Sequence, residues 1–310
     1  MKTLITGGRG FLARVVATYL RNHGHDVWLL SRSAAPGVPE HVRLLQADLR
    51  NRQSVRAVIS EPFDAVVHLA GLGVVRDSIA DPMTYFDVNT AGTINLLLAI
   101  QGAAPDRCPA FLFASTQTVY GTQHQTAMPE ELPPAPEHPY AMSKLAAEQV
   151  VAAQAATGAL RATTLRLVNL AGALDDYGDD NTRGVIPKTL HAAASSATFT
   201  VNGDGSTVRD FVHVTDVANA IALAIDTAKP GEHAIYNIGS GKGSSVAEII
   251  RTVEAVTGRS VPVEHLPAVP EPPCLVVDNQ RARALLGWHP TRSTLDTVVR
   301  DAWHAMNLTA

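Results

Sequence analysis

Residues 1–170 alternate short apolar runs, rich in β-branched residues, with longer stretches that have helical periodicity. This alternation predicts βαβ units, in which parallel strands form one sheet with helices on both faces. The runs are apolar at nearly every position, as strands that are buried on both faces require. The predicted strands are Thr3–Thr6, Asp26–Ser31, Val42–Gln46, Ala65–Leu69, Ala110–Ser115 and Ala162–Leu167, and the predicted helices are Phe11–Asn22, Pro82–Ile100 and Tyr140–Ala156.

The pattern changes after about Leu170. Loops rich in Gly, Asp and Pro, at Leu174–Gly184 and Pro262–Pro273, separate shorter elements. We therefore expect a smaller, mixed α/β region over residues 171–310 that closes over the carboxyl edge of the sheet, with some of its chain returning to the first domain. The predicted helices of this region are Val214–Asp226, Ser245–Thr257 and Leu295–Met306.

A glycine-rich turn, Thr6-Gly7-Gly8-Arg9-Gly10-Phe11-Leu12-Ala13, connects the first predicted strand to the first predicted helix. Gly7 permits the tight turn, Gly10 lets the backbone approach a pyrophosphate, and Ala13 keeps the helix close to the sheet. The helix N-terminus would face the anion. A plain glycine turn is the alternative, but the position at an N-terminal strand–helix junction favours a Rossmann-type dinucleotide-binding domain over residues 1–170.

The residues after the second strand bear on the choice of cofactor. A carboxylate at this position would bind the adenosine ribose of NAD, but the chain has Leu30-Ser31-Arg32-Ser33. Arg32 could pair with the 2′-phosphate of NADP, or it could face solvent in a protein that binds NAD. We expect NAD or NADP, and Arg32 favours NADP. Asp48 and Leu49 would meet the adenine, and Leu69-Ala70-Gly71 would pass close to the cofactor.

Tyr140 and Lys144 lie four residues apart in the third predicted helix, so the ammonium can sit beside the phenol ring. Nearby positive charge favours phenolate and lowers the pKa of a tyrosine from its reference value of about 10. A phenol tuned in this way can act as a general acid or base near neutral pH. Ser115 and Thr116 end the fifth strand, at the edge where open α/β sheets bind ligands. The spacing of Tyr140 and Lys144 alone is equally compatible with an ordinary surface helix.

Composition and charge argue against several other classes of protein. Apolar residues make up 46% of the chain and charged residues 17%, and the net charge of -4 gives no basic field for nucleic acid or an anionic membrane. No apolar run approaches the ~20 residues of a membrane span, and the chain starts with a strand pattern rather than a signal peptide. Cys108 and Cys274 form neither a disulfide framework nor a metal cluster. We expect a cytoplasmic protein without a metal site.

Further motifs follow one another along nearly the whole chain. They are His68-Leu69-Ala70-Gly71, Asp81-Pro82 through Val88-Asn89, Pro139-Tyr140-Ala141-Met142-Ser143-Lys144, Leu165-Arg166-Leu167-Val168-Asn169, Arg209-Asp210-Phe211-Val212-His213-Val214, Tyr236-Asn237-Ile238-Gly239-Ser240-Gly241, Asp278 before Leu286-Gly287-Trp288, and Arg300-Asp301-Ala302-Trp303. In this order they resemble the extended short-chain dehydrogenase/reductase family, that is, the NAD-dependent epimerases and dehydratases. The similarity is greatest to the nucleotide-sugar 4-epimerases of that family.

The resemblance implies an enzyme that oxidises C4 of a nucleotide sugar transiently, through a tightly bound nicotinamide cofactor. Tyr140 would be the acid/base, and Lys144 would hold the nicotinamide ribose and lower the pKa of the tyrosine. Thr116 would hydrogen-bond the reacting sugar oxygen, although a strand-end cap is its simpler role. The resemblance also implies a homodimer, in which Pro82–Ile100 and Tyr140–Ala156 pair with their copies.

Carried over position by position, the resemblance also implies two sets of binding residues. The cofactor-binding set is Gly7, Gly10, Phe11, Leu12, Ser31, Arg32, Asp48, Leu49, Leu69, Ala70, Gly71, Asn89, Ser115, Tyr140 and Lys144. The substrate-binding set is Thr116, Gln117, Asn169, Val185, Val201, Arg209 and Glu271, which assigns the nucleotide sugar mainly to residues 171–310. Asn169 and Arg209 would bind the diphosphate, Arg209 as a charged, forked donor. A surface ion pair is the simpler role of Arg209.

The chain departs from the family pattern at several positions. Gln117-Thr118 replace the Asp-Glu of the sugar dehydratases, so the acid/base pair for eliminating water is missing. Ser31-Arg32 replace the Asp-Asn that holds NAD, and Gly73 replaces a lysine that reaches the cofactor. Fewer cofactor contacts suit an enzyme that exchanges its cofactor. The second hypothesis is therefore an NADPH-dependent 4-ketoreductase of a 4-keto nucleotide sugar.

A third hypothesis is a dinucleotide-binding protein that has kept the fold without activity. The presence of Thr116, Tyr140 and Lys144 together argues against it, because loss of function would be expected to remove these residues first.

Overall fold

A computed structural model describes residues 1–33, 42–179, 181 and 183–308 of the chain. The strands are β1 (Lys2–Thr6), β2 (Asp26–Ser31), β3 (Arg43–Gln46), β4 (Ala65–His68), β5 (Ala110–Thr116), β6 (Arg161–Leu167), β7 (Asn169–Ala171), β8 (Ala173–Leu174), β9 (Tyr177–Gly178), β10 (Phe199–Asn202), β11 (Val208–His213), β12 (His233–Ile238), β13 (Gly243–Ser245), β14 (Val263–Leu266) and β15 (Cys274–Leu275). The helices are α1 (Phe11–Asn22), α2 (Arg52–Val58), α3 (Val75–Ala80), α4 (Pro82–Phe86), α5 (Gly92–Ala103), α6 (Pro139–Ala156), α7 (Val185–Ser195), α8 (Val214–Thr227), α9 (Val246–Thr257), α10 (Gln280–Leu286) and α11 (Leu295–Leu308).

The central sheet has the strand order β12-β6-β5-β4-β1-β2-β3. Strands β1 to β6 pair in parallel, and all six correspond to predicted strands with ends that differ by one residue at most. Consecutive residues within a strand are fully buried, such as Leu4 and Ile5 in β1 or Val66 and Val67 in β4. Because neighbouring side chains point to opposite faces, both faces of the sheet are covered. The predicted Rossmann-type α/β fold is confirmed.

The chain forms two compact units. The first consists of Met1–Gly121, Glu131–Leu167 and Ala218–Tyr236, and the second of Thr122–Glu130, Val168–Val217 and Asn237–Ala310. One side of the sheet in the first unit packs against a cluster that includes Leu96 of α5 and Val151 of α6.

The second unit is built from short strands and the helices α7, α9, α10 and α11. Its strand β11 lies between β13 and β15 and also pairs with β7, while β10 pairs with β14. Its core contains Ile186, Val253 and Val298, from α7, α9 and α11 respectively. The helices predicted after Leu170 correspond to α8, α9 and α11, and most of α8 belongs to the first unit. Strand β14 and the β8–β9 hairpin lie in segments predicted as loops, and residues 180 and 182 of the first such segment lie outside the described residues.

The predicted helix Pro82–Ile100 is interrupted. A π-helical turn over Asp87–Ala91 separates α4 from α5. The turn places the fully buried Asn89 where its side chain bonds both the loop after β4 and helix α6. A helical pattern in sequence does not distinguish an α turn from the wider π turn, which often marks a functional site.

Within the described residues, no helix combines the length and the apolar character needed to cross a membrane.

Candidate active site

A cavity of about 250 Å³ opens beside the glycine-rich turn in the first unit. Its lining brings together most of the predicted cofactor-binding residues, namely Gly7, Gly10, Ser31, Arg32, Asp48, Leu49, Leu69, Ala70 and Gly71. Phe11 and Leu12 begin helix α1 and are not part of the lining, and Asn89 and Ser115 lie nearer to the candidate catalytic residues.

The glycine-rich turn has the geometry that a dinucleotide requires. Gly7 has a φ of +82°, and a Cβ atom there would lie 2.9 Å from the backbone nitrogen of Ala70. Gly10 is the N-cap of α1, and no side chain caps that helix end. The amide groups of the first turn are therefore available to a pyrophosphate, which fits the fold's usual ligand.

Two arginines, Arg9 and Arg32, belong to the lining of this cavity. The Nη1 atom of Arg9, inside the glycine-rich turn, donates to Oγ of Ser33 at 3.0 Å, and Arg32 lies exposed beside Ser33. Asp48 is held in an ion pair with Arg50 at 2.7 Å, and hydrogen bonds from Arg50 lower the pKa of this carboxyl. The sequence analysis did not single out Arg9, although a cation within the glycine turn was a usable signal.

Thr116, Tyr140 and Lys144 come together at the carboxyl end of β5. Thr116 is the last residue of β5, and Tyr140 lies in the first turn of α6, which His138 caps. The side chains of Tyr140 and Thr116 are hydrogen-bonded, and Nζ of Lys144 donates to the carbonyl oxygen of Ala114 at 2.8 Å. Thr116 Oγ1 also accepts from the backbone N–H of Thr118 at 3.2 Å, so this hydroxyl also caps the end of the strand.

The ionisation of these groups differs from the sequence-based expectation. Burial raises the pKa of Tyr140, and the hydrogen bond with Thr116 opposes this rise only in part. The expected lowering by Lys144 was wrong for this structure, because the cost of burying a phenolate dominates. Burial also lowers the pKa of Lys144, to about 8, against the opposing effect of the Glu148 carboxylate.

Asn89 connects the loop after β4 to the first turn of α6, which carries Tyr140. Its Nδ2 atom donates to Oγ of Ser143 at 2.9 Å, and Oγ of Ser143 donates to the carbonyl oxygen of Tyr140 at 2.8 Å. Its Oδ1 atom accepts from the N–H of Leu72 at 2.8 Å. A Cβ atom on Gly71 would lie 2.9 Å from Asn89 Oδ1 and 3.0 Å from Lys144 Nζ. The predicted need for small backbone at Gly71 therefore arises from these two side chains.

Gln117 follows Thr116 and is 4% exposed. Among the described residues, its buried Oε1 atom has no hydrogen-bond partner. A buried acceptor without a donor is costly, so this amide next to the candidate catalytic hydroxyl could accept from a substrate hydroxyl.

The other predicted substrate residues lie in the second unit. Arg209 of β11 donates to the carbonyl oxygens of Val208 and Pro272 and forms an ion pair with Glu271 at 3.3 Å. Asn169 of the adjacent β7 donates to the carbonyl oxygen of Asp210 at 3.0 Å.

Two predicted residues of this unit lie apart from that ion pair. Val201 is buried in β10, and Val185 begins α7. Asn202, next to Val201, donates to Oε1 of Glu271 at 3.2 Å, so β10 is connected to the arginine through Glu271.

Comparisons with known proteins agree with this geometry. The family model described as NAD dependent epimerase/dehydratase family matches residues 3–239. The chain is 34% identical to the UDP-glucose 4-epimerase of Corynebacterium glutamicum, over 98% of this chain and 95% of that one. It is 36% identical to the UDP-glucose 4-epimerase of Streptomyces lividans, over 97% and 95%.

Solved structures of similar proteins cover the chain equally well. A crystal structure of UDP-glucose 4-epimerase superposes with a TM-score of 0.93 at 29% identity, covering 99% of this chain and 98% of the other. The UDP-glucose-4-epimerase of Stenotrophomonas maltophila, with bound NAD and formylated UDP-arabinopyranose, gives a TM-score of 0.90 at 31% identity, covering 100% and 99%.

Proposed function

The chain belongs to the NAD-dependent epimerase/dehydratase family, and on that premise we propose that it is a nucleotide-sugar 4-epimerase. The observation that carries the proposal is the hydrogen bond between Tyr140 and Thr116, with the ammonium of Lys144 fixed one helical turn away. UDP-glucose is the first substrate to test, because it is named for the relatives above.

In this proposal Tyr140 takes the proton of the C4 hydroxyl and later returns it. Thr116 orients the same oxygen, and the positive charge of Lys144 offsets the cost of the buried phenolate. The residues that line the cavity beside the glycine-rich turn would hold the nicotinamide cofactor, which would supply reversible hydride transfer at C4 of the sugar. The chain supplies position, proton transfer and charge.

The two units would divide the binding of the ligands. The first would hold the nicotinamide dinucleotide through the glycine-rich turn and the cavity lining, as NAD is bound in the solved relatives. The second would bind the diphosphate through Arg209 and Asn169. Glu271 would have to release part of its hold on Arg209, or turn to a neighbouring hydroxyl of the ligand. Arg209→Lys would keep the positive charge but lose the paired donors of the guanidinium group. We therefore expect a large rise in the KM for the nucleotide sugar.

A preference for NADP over NAD is the finer part of the proposal. Arg9, Arg32 and the hydroxyl of Ser33 cluster where the adenosine ribose of the cofactor would lie. Two guanidinium groups suit a 2′-phosphate, and a carboxylate that would suit a 2′-hydroxyl is missing from Leu30-Ser31-Arg32-Ser33. The same cluster favours the second candidate function, an NADPH-dependent 4-ketoreductase.

The experiment that separates the two functions uses the freshly purified protein. The nucleotide released on denaturation is identified by mass spectrometry, and conversion of UDP-glucose to its C4 epimer is measured without added cofactor. Conversion with a retained dinucleotide is expected of the epimerase. An empty site, together with NADPH oxidation by a 4-keto nucleotide sugar, would instead identify the reductase.

A homodimer is the proposed assembly, formed by the helical segment that includes α4 and α5 and by α6. Three large apolar side chains on these helices are exposed, namely Met83, Leu98 and Met142. Burying them against a second copy would be favourable. Sedimentation velocity should give a dimer, and Leu98→Glu with Met142→Glu should give a monomer. Leu285→Glu, at an exposed site in the second unit, is the control.

A further inference from the structure

Helix α6 carries a third functional group beside Tyr140 and Lys144. Glu148 lies four residues after Lys144, and three such residues at this spacing share one face of a helix. Glu148 is 3% exposed, and its carboxylate accepts from Nε of Arg166 at 3.1 Å and from Nη2 at 2.7 Å. The hydroxyl of Ser115 donates to the same carboxylate. A buried carboxylate with this many donors is fixed in position.

These contacts hold α6 against the carboxyl ends of β5 and β6, next to the candidate catalytic residues. Ser115 of β5 and Arg166 of β6 are directly opposite each other in the sheet. Ser115 lies between Ala114, whose carbonyl accepts from Lys144, and Thr116, which bonds Tyr140. The Glu148 carboxylate therefore fixes the helix against the segment to which both of its catalytic side chains are bonded.

Glu148 also contributes charge to the surroundings of Lys144. Helix α6 presents Glu148 to this ammonium, and β5 presents the carbonyl of Ala114 and the ring of Phe113, whose centroid lies 4.8 Å from Nζ. Strand β4 presents His68, whose pKa burial lowers to about 3, so its imidazole is neutral. Asn89 adds an uncharged amide oxygen. The Glu148 carboxylate is thus the negatively charged group that acts on Lys144, and the positive charge of Arg166 partly cancels its effect.

We propose that Glu148 is a positioning residue for the proposed reaction, which seats Tyr140 and Lys144 against β5 and keeps Lys144 in its charged form. This inference rests on the proposed function. A merely structural ion pair is the competing explanation, and such pairs can often be exchanged for apolar residues without loss of stability. The two explanations differ in what they predict for the dependence of the rate on pH.

The test begins with Glu148→Gln, which keeps the size of the side chain and removes its charge. The pH at which kcat stops rising should move to a lower value, because the ammonium of Lys144 loses its stabilising anion. Glu148→Asp should restore the wild-type pH dependence while kcat stays reduced. Glu232→Gln is the matched control at an exposed carboxylate, and its pH profile should be that of the wild type.

A second pair of variants guards against misfolding. Arg166→Gln leaves Glu148 free to act on Lys144 alone, so the pH at which kcat stops rising should move to a higher value. Glu148→Leu combined with Arg166→Met removes the ion pair without burying a lone charge, and the pH at which kcat stops rising should still move to a lower value. A wild-type profile in this folded double variant, or in Glu148→Gln, would overturn the inference.

A readout that needs no turnover separates this inference from the proposed function. Binding of NADH is followed by its fluorescence across the same pH range. The pH above which this binding weakens should be lower in Glu148→Gln than in the wild type. If the wild type binds NADH but epimerises no nucleotide sugar, the proposed function fails. If the wild type is active and the binding and rate profiles of Glu148→Gln are unshifted, only the present inference fails.

Discussion

The hydroxyl groups of Tyr140 and Thr116 are hydrogen-bonded to each other, one from the first turn of α6 and the other from the last residue of β5. Both groups are thereby directed at one point, where a single sugar oxygen could contact them together. A loop and the cap of α6 separate the two residues in the sequence, so their spacing does not reveal that they are in contact.

Tyr140→Phe should lower kcat at least about 100-fold, because it removes the only group of the pair that can carry the proton of the reacting hydroxyl. The measurement is the conversion of UDP-glucose by the purified variant. Binding of NADH should be retained within a small factor, which shows that the fold is intact. Turnover near the wild-type rate would remove Tyr140 from the mechanism.

The wild-type kcat should rise with pH up to about 8 and stop rising there. Burial lowers the pKa of Lys144 to about 8, so the ammonium that stabilises the phenolate is lost above that value. Below it the lysine stays charged, and kcat rises as more of Tyr140, whose pKa is raised, loses its proton. Above it the further gain in phenolate is offset by the loss of the ammonium. A kcat that keeps rising far into the alkaline range would contradict this assignment.

Arg9→Ala and Arg32→Ala should each weaken the binding of NADPH about 10-fold, because each removes a charge-assisted contact with the 2′-phosphate. Binding of NADH, which lacks that phosphate, should change little in either variant. Fluorescence titration with both cofactors measures this difference. Tighter binding of NADH than of NADPH by the wild type would remove the NADP preference, and with it the main support for the reductase.

Asp210→Asn should lower the free energy of unfolding by about 1–3 kcal/mol, measured by urea denaturation. Both carboxylate oxygens of Asp210 accept hydrogen bonds, from the N–H and hydroxyl of Ser240 and from the N–H of Gly241. An amide would turn one acceptor into a donor that faces those N–H groups. Unchanged stability would mean that the loop rearranges.

The same residue should affect how stability varies with pH. Burial raises the pKa of Asp210 to about 6 from 3.8. A group whose pKa is raised by folding contributes stability below its unfolded pKa, and this contribution is lost as the pH rises through about 6. The asparagine variant should lack that component of the pH dependence.

The strands and the glycine-rich turn could be predicted because their signals are local. Fully buried parallel strands are continuous apolar runs, and Gly7 stands at a junction where a side chain would meet Ala70. The spacing of Tyr140 and Lys144 likewise needs only helical geometry. Local patterns therefore sufficed for the fold and for the outline of the candidate site.

The rest of the candidate site depends on contacts between residues far apart in the sequence. Arg9 meets Ser33, and Glu148 meets Arg166, only because the sheet brings their elements together. The π-helical turn around Asn89 lies inside one continuous helical pattern of the sequence, which does not distinguish it from an α turn. The raised pKa of Tyr140 follows from burial, which the spacing of the Tyr–Lys pair could not reveal.

One helix bears Tyr140, Lys144 and Glu148 on successive turns, and the last of these is locked into the sheet. A small roll or slide of that helix would displace the proton carrier, the ammonium and the anchoring carboxylate at once. Laboratory evolution of this enzyme should therefore find few tolerated changes along the buried face of α6. New sugar preferences should accumulate instead at side chains such as Gln117, which can be exchanged without moving the helix.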